Sequence, residues 1–290
     1  MNDLKSYVVK GDSKIKLKNF ATKPDDSVNK EKIIKKTNAN LERMEAFQDR
    51  LYSEGREGLV LIFQAMDAAG KDSTIKNVMS GLNPQGIDVF SFKQPSAEEL
   101  SHDFLWRASK NFPIRGKMAI FNRSYYEDVL VVRVHKLYEN LKLPERCKHG
   151  DIIGKRYEDI KNFEKYQYNN GYRIIKFFLN VSKEEQKKRF LERIDLKIKN
   201  WKYSESDVKE RAYWNEYMKA YEDAINATAT KNSPWYVIPA DKKWFTRYLV
   251  SEAIVDVFKK IAPQYPVLPQ AAQDNLQKDK ELLLNENNQK

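Results

Sequence analysis

The stretch Leu59-Val60-Leu61-Ile62-Phe63-Gln64-Ala65-Met66-Asp67-Ala68-Ala69-Gly70-Lys71-Asp72-Ser73-Thr74 passes from an apolar run into small residues and then into the helical run Ile75 to Met79. A short apolar run bounded by Gly58 reads as a buried strand, and the order strand, small-residue loop, helix is that of a phosphate-binding loop. Small residues let backbone N–H groups converge on phosphate oxygens, the helix start adds its positive dipole end, and Lys71 supplies a mobile point charge. The pattern G-x-x-x-x-G-K-[ST] is met at Gly70 and Lys71 only in part. Ala65 stands at the first glycine and Asp72 at the magnesium-binding hydroxyl, with Ser73 and Thr74 one and two places later. A tight strand-to-helix turn closed by Gly70 is the competing reading. Asp67 would repel a phosphate unless a cation accompanied it, so it is the expected magnesium ligand, although it also suits an Asx-type turn.

Outward from this loop, Val89 to Phe92, Met118 to Phe121, Arg173 to Leu179 and Trp235 to Ile238 are further apolar runs separated by helical stretches. Five buried strands alternating with helices predict an α/β fold, a doubly wound parallel five-stranded sheet flanked by helices. Upstream, Ile33, Ile34, Leu41, Met44, Phe47 and Leu51 recur at helical spacing before Gly55. One amphipathic helix follows from that period. Residues 1–30 read as a flexible arm, 31–263 as a single domain, and 264–290 as a polar tail or loosely docked last helix.

The 290 residues carry 52 Lys and Arg against 41 Asp and Glu, a net charge of +11 that suits an anionic partner. Hydrophobic content of 41% and 12% aromatics exclude a disordered chain. The longest apolar run falls far short of a membrane span and the N-terminus has no apolar signal core, so a soluble, cytoplasmic protein without a membrane partner is expected. Cys147 is the only cysteine, which excludes an intrachain disulfide, and His102, His135 and His149 lack metal-ligand spacing.

The run Met118 to Phe121 opens into Asn122-Arg123-Ser124-Tyr125-Tyr126-Glu127-Asp128-Val129-Leu130-Val131-Val132-Arg133-Val134. Together with Gln64 to Thr74 it resembles the polyphosphate kinase 2 family, relatives of thymidylate kinase that move phosphoryl groups between inorganic polyphosphate and nucleotides. The resemblance extends to Leu82-Asn83-Pro84-Gln85-Gly86, Ser91 to Ser96, Glu99 to Arg107, Asn200-Trp201-Lys202 and Ile238 to Phe245, and covers roughly residues 40 to 262. The Phe121 to Val131 segment is most like the subgroup acting on both AMP and ADP, with Asn122 where other subgroups carry Asp. If Asn122 brings no negative charge, Asp67 carries more of the metal binding, with Asp72, Glu127 or Asp128 as helpers.

Ser182 to Lys202 holds eight Lys and Arg against four acids, and Arg189, Arg193 and Lys197 share a helix face. A solvated helix is the plain reading of such a run. The resemblance implies a helical lid at about 183–215, and there the run is expected to be an anion clamp, in which Arg189 and Arg193 use their forks and Lys199 and Lys202 extend the track. The resemblance further implies phosphate contacts at Ala69, Gly70, Asp72, Ser73, Thr74 and Lys76, and an acceptor nucleotide near Lys93, Asp103, Arg107 and Glu127. Phe104 and Leu105 are read as core, and Tyr125, Tyr126, Trp201 and Trp244 are left unassigned between packing and base stacking.

The expected activity is direct, magnesium-dependent and reversible transfer of a terminal phosphoryl group from polyphosphate to AMP or ADP by a homo-oligomer, with adenine and possible guanine nucleotides as partners. Lys71, Arg123 and Arg133 would stabilise charge, while Asn122 lies at the catalytic strand end. The rivals are an ATP-dependent nucleoside monophosphate kinase on the same fold and a non-enzymatic nucleic-acid-binding protein. No specific nucleic-acid module is visible.

Overall fold

The computed structural model describes residues 4–286. Its strands are β1 (Val8–Val9), β2 (Gly58–Gln64), β3 (Ile87–Ser91), β4 (Met118–Asn122), β5 (Tyr172–Asn180) and β6 (Trp235–Pro239). The helices before β4 are α1 (Lys30–Glu54), α2 (Lys71–Val78), α3 (Ala97–Ser101) and α4 (Trp106–Ser109). Between β4 and β5 lie α5 (Val131–Val134), α6 (Glu145–Lys148) and α7 (Ile152–Asn169). Helices α8 (Lys183–Asp195), α9 (Glu205–Glu210) and α10 (Trp214–Thr228) precede β6, and α11 (Lys243–Ile261) and α12 (Gln270–Asn285) come after it.

The sheet order is β1-β6-β5-β2-β4-β3. Strand β2 pairs in parallel with β4 and β5, and every residue of it is buried, as a strand covered by helices on both faces requires. Strands β3 and β6 extend the parallel sheet outward. The five strands read from the sequence are all present. A sixth is added by β1, antiparallel to β6, with Val8 opposite Tyr236 and Val9 opposite Trp235.

The segment read as a flexible arm is therefore a packed edge for its described part. Tyr7, Val9 and Leu17 are buried, the Ile15 amide donates to Asn226 Oδ1 at 2.7 Å, and the Leu17 amide donates to Glu222 Oε2 at 2.9 Å. Two-residue strands have no period, so only the open edge of β6 could recruit this one. Residues 1–3 of the arm and 287–290 of the tail lie outside the described residues. The rest of the tail is a proline-containing connection and then α12, which buries none of its residues.

Helix α1 ends at Gly55, whose φ of 65° lets its amide cap Leu51 O and returns the chain into β2. Beneath the end of β4, the Tyr125 and Tyr126 hydroxyls each donate to Glu164 Oε1 at 2.9 Å, and the buried Lys176 ammonium donates to Glu164 Oε2. Burial alone would make that charge costly, and the paired carboxylate offsets it. The network holds the turn Tyr125–Val129 against the sheet and so fixes where β4 delivers its last residues.

Candidate active site

The loops after β2, β4 and β5 open at the carboxyl edge of the sheet, where the chain switches from one side of β2 to the other. They enclose a cleft of 930 Å³. One wall is the loop 65–70 and the start of α2. Gly70 has a φ of 106°, open to glycine at little cost, and Ala68 is held at 57°. Lys71 Nζ donates to Ala65 O at 3.0 Å across the loop, and Ser73 Oγ to Gly70 O at 3.0 Å. Burial lowers the Lys71 pKa and the neighbouring Arg123 charge lowers it further, while Asp67, Glu127 and Asp72 resist.

The end of β4 forms the facing wall. The Arg123 amide donates to Phe63 O at 3.0 Å, and its φ of 63° turns the side chain toward the loop. There its Nη2 donates to Asp67 Oδ1 at 2.9 Å. Burial opposes the Arg123 charge, but Glu127 and Asp67 outweigh it and hold the pKa above the ordinary value. Asn122 Nδ2 donates to Asp72 Oδ1 at 2.8 Å, tying the strand end to the first turn of α2. Lys93, after β3, closes this side.

The third wall is built by α8 and residues 198–207. Arg193 Nη1 lies 3.1 Å from Asp207 Oδ2, and Lys199 Nζ 2.8 Å from Glu192 Oε2, with Lys202 beyond them. The cleft thus gathers Asp67, Gly70, Lys71, Asp72, Ser73 and Lys76 from the loop side. From the other walls it gathers Lys93, Asn122, Arg123, Arg193, Lys199 and Lys202.

Other sequence-expected residues stand apart. The Ala69 and Thr74 amides are already spent on Met66 O and Gly70 O, and both residues are buried. Arg133 is turned to Asp223 at 2.8 Å and the Tyr157 hydroxyl at 3.0 Å, outside the cleft lining. Asp103 caps the Leu105 amide, and Arg107 is buried with Nη1 on Lys93 O at 2.8 Å. Glu127 is outside the cleft lining and accepts from Gln64 Nε2 at 2.9 Å, while its charge still acts on Arg123 and Lys71. Asp128 faces Arg156, not the loop. Arg189 reaches the lining but is 7% exposed, and its guanidinium is spent on main-chain oxygens instead of facing outward as a clamp. These placements share one feature: each group already has a hydrogen-bond or ion-pair partner within the chain, and spacing along a helix does not reveal those partners.

Three cleft residues were not anticipated in these roles. Asp207 lies in Ser204-Glu205-Ser206-Asp207, a pattern that reads as a helix cap, yet the Ser204 side chain caps no helix amide and the carboxylate goes to Arg193. Desolvation and then the like charge of Asp67 raise the Asp207 pKa. Lys243 reaches the cleft from the start of α11, and its place in the Ile238 to Phe245 motif was the available signal. Trp201, 78% exposed, is the one lining residue among the four unassigned aromatics, whereas Tyr125 and Tyr126 are fully buried.

The model of the family described as polyphosphate kinase 2 matches residues 27–266. An ADP-polyphosphate phosphotransferase of Rhodopseudomonas palustris is 45% identical over 97% of this chain and 98% of its own length. An AMP/ADP-polyphosphate phosphotransferase of Meiothermus ruber is 41% identical over 94% of this chain and 99% of its own length. A crystal structure of polyphosphate kinase 2 from Arthrobacter aurescens superposes with a TM-score of 0.83 at 35% identity, covering 94% of this chain and 98% of that one. Matched by the family model over most of its length and by these relatives nearly end to end, this chain belongs to the polyphosphate kinase 2 family.

Proposed function

We propose that this chain transfers the terminal phosphoryl group of inorganic polyphosphate to AMP and ADP, with magnesium as cofactor. The observation that carries the reading is the charge of the cleft, lined by nine basic and four acidic side chains. The basic groups run from Lys71 and Lys76 past Arg123 to Arg193, Lys199 and Lys202, a track suited to a polyanion. The names of the two full-length relatives support ADP and AMP as acceptors.

Among the described residues no group of three or more His, Cys, Asp or Glu side chains could hold a metal alone. A single lining carboxylate such as Asp67 fits magnesium, which keeps several waters and takes other ligands from substrate phosphates. Asp67 would hold the ion, which when bound neutralises charge on the phosphates.

An oxygen of the acceptor's terminal phosphate attacks the terminal phosphorus of the donor. The new P–O bond forms as the P–O bond to the rest of the chain breaks, and the shortened polyphosphate leaves as an anion. The nucleophile, with a second pKa of about 6, is largely ionised at neutral pH and needs no general base. None of the three histidines lines the cleft, in keeping with that. Lys71 and Arg123 stabilise charge on the transferred group, while Arg193, Lys199 and Lys202 align the donor.

The test supplies AMP or ADP with either polyphosphate or ATP as sole donor and tracks the nucleotides formed. Formation of ADP and ATP from polyphosphate is expected. Phosphorylation of AMP by ATP but not by polyphosphate would make the chain a nucleoside monophosphate kinase instead.

A further inference from the structure

Helix α8 meets the phosphate loop through two side chains that leave no loop carbonyl from 67 to 69 unpaired. Gln186 Nε2 donates to Asp67 O at 2.8 Å. Arg189 Nη1 donates to Ala68 O at 3.1 Å and to Ala69 O at 2.6 Å. The remaining donors of Arg189 go to Ala240 O at 2.7 Å, Asp241 O at 3.2 Å and Glu185 Oε1 at 2.9 Å. A guanidinium has five N–H donors, and here they meet five acceptors.

From this geometry we infer that Arg189, assisted by Gln186, is a positioning residue that shapes the phosphate loop without itself binding the donor. A loop binds an anion when successive N–H groups point one way, which forces the carbonyls the other way. Those carbonyls need donors, and an unpaired one disfavours the conformation. Arg189 supplies them for Ala68 and Ala69 and, by bonding Ala240 O and Asp241 O, anchors the loop to the end of β6. Ala68, at a φ of 57° that alanine adopts reluctantly, sits at the point of attachment. The same helix carries Arg193 into the cleft, and Gln186 Oε1 accepts from Arg211 Nη1 at 2.5 Å. Loop shape and clamp position therefore depend on one rigid element.

The inference rests on residues 65–74 being the loop that holds the transferred phosphate, so Lys71→Ala is run alongside. In Arg189→Lys one ammonium has three donors and no fork, so it cannot span carbonyls from two segments. Expected, at a temperature where circular dichroism shows the variant folded, is a roughly tenfold or larger fall in kcat with polyphosphate and a salt dependence of polyphosphate KM parallel to that of the wild type. A charge clamp predicts the opposite, near-full rescue by Lys and a flattened salt slope in Arg189→Ala. Either result overturns the assignment. Should the Arg189 variants fail to fold, Gln186→Leu decides: kcat falls with the salt slope intact, or the assignment is wrong. An active Lys71→Ala would remove the loop reading itself, whereas an inactive Lys71→Ala beside fully active Arg189 variants removes only the positioning role.

Discussion

Arg123 Nη2 stands 2.9 Å from Asp67 Oδ1, joining the end of β4 to the phosphate loop of β2 across the reaction cleft. The pair holds two walls of the cleft in register, with both side chains partly solvated. In the proposed reaction, substrate and magnesium would draw the two apart, the cation to Asp67 and the phosphate to Arg123.

Asp67→Asn keeps the shape of the side chain and removes its charge. Turnover should fall by roughly 10²–10³-fold, and titration with magnesium should no longer restore it. A wild-type magnesium response would place the ion on another carboxylate, with Asp207 the first candidate.

Asn122→Asp would replace the amide that donates to Asp72 Oδ1 at 2.8 Å with a second carboxylate. Two like charges at that distance repel, so the link between β4 and α2 loosens while the acceptor side gains negative charge. The ratio of kcat/KM for AMP to that for ADP should change. A constant ratio measured across both acceptors would move their selection to another wall of the cleft.

Arg193 and Lys202 are the side chains to remove in testing the clamp, since Arg189 is buried. Raising NaCl at fixed magnesium should increase KM for long polyphosphate more steeply than KM for ADP. Arg193→Ala with Lys202→Ala should lower the log–log slope by about 1.4, at about 0.7 per lost contact. Equal slopes for both substrates would dismiss the clamp. Asp207→Asn, which frees Arg193 from its 3.1 Å partner, should tighten polyphosphate binding in a direct titration, and weaker binding would count against competition between the two.

Asp128 gives a stability signature. Burial raises its pKa to about 6, against the pull of Arg156 and Arg107. The folded chain holds this proton more tightly than the unfolded chain, where Asp titrates near 3.9, so the contribution is complete below about pH 4 and disappears as pH rises through about 6. Denaturant unfolding between pH 4 and 7 should show the wild type losing on the order of 3 kcal/mol relative to Asp128→Asn. Parallel curves for the two proteins would show that Asp128 does not carry this proton.

The sequence by itself determined the parallel sheet, because Leu59 to Phe63 and its four counterparts are apolar runs too long to be loops and too short to be helices. It determined the strand–loop–helix turn at the candidate phosphate loop too, because Gly70 and Lys71 between strand and helix are local features that need no distant partner. Local pattern also located the basic segment from Ser182 to Lys202. What each lid cation does was decided only by tertiary structure. Arg189 and Arg193 are one helical turn apart and chemically identical, yet Arg189 points into loop carbonyls from residues 120 and 121 positions away, while Arg193 faces the cleft. The same holds for Arg133, absorbed by Asp223 at 90 positions' separation, and for Val8 and Val9, which become a strand only because β6 presents an open edge. A side chain's hydrogen-bond partners are set by contacts distant in sequence, and no period or motif along the chain encodes which carbonyl or carboxylate will arrive beside it.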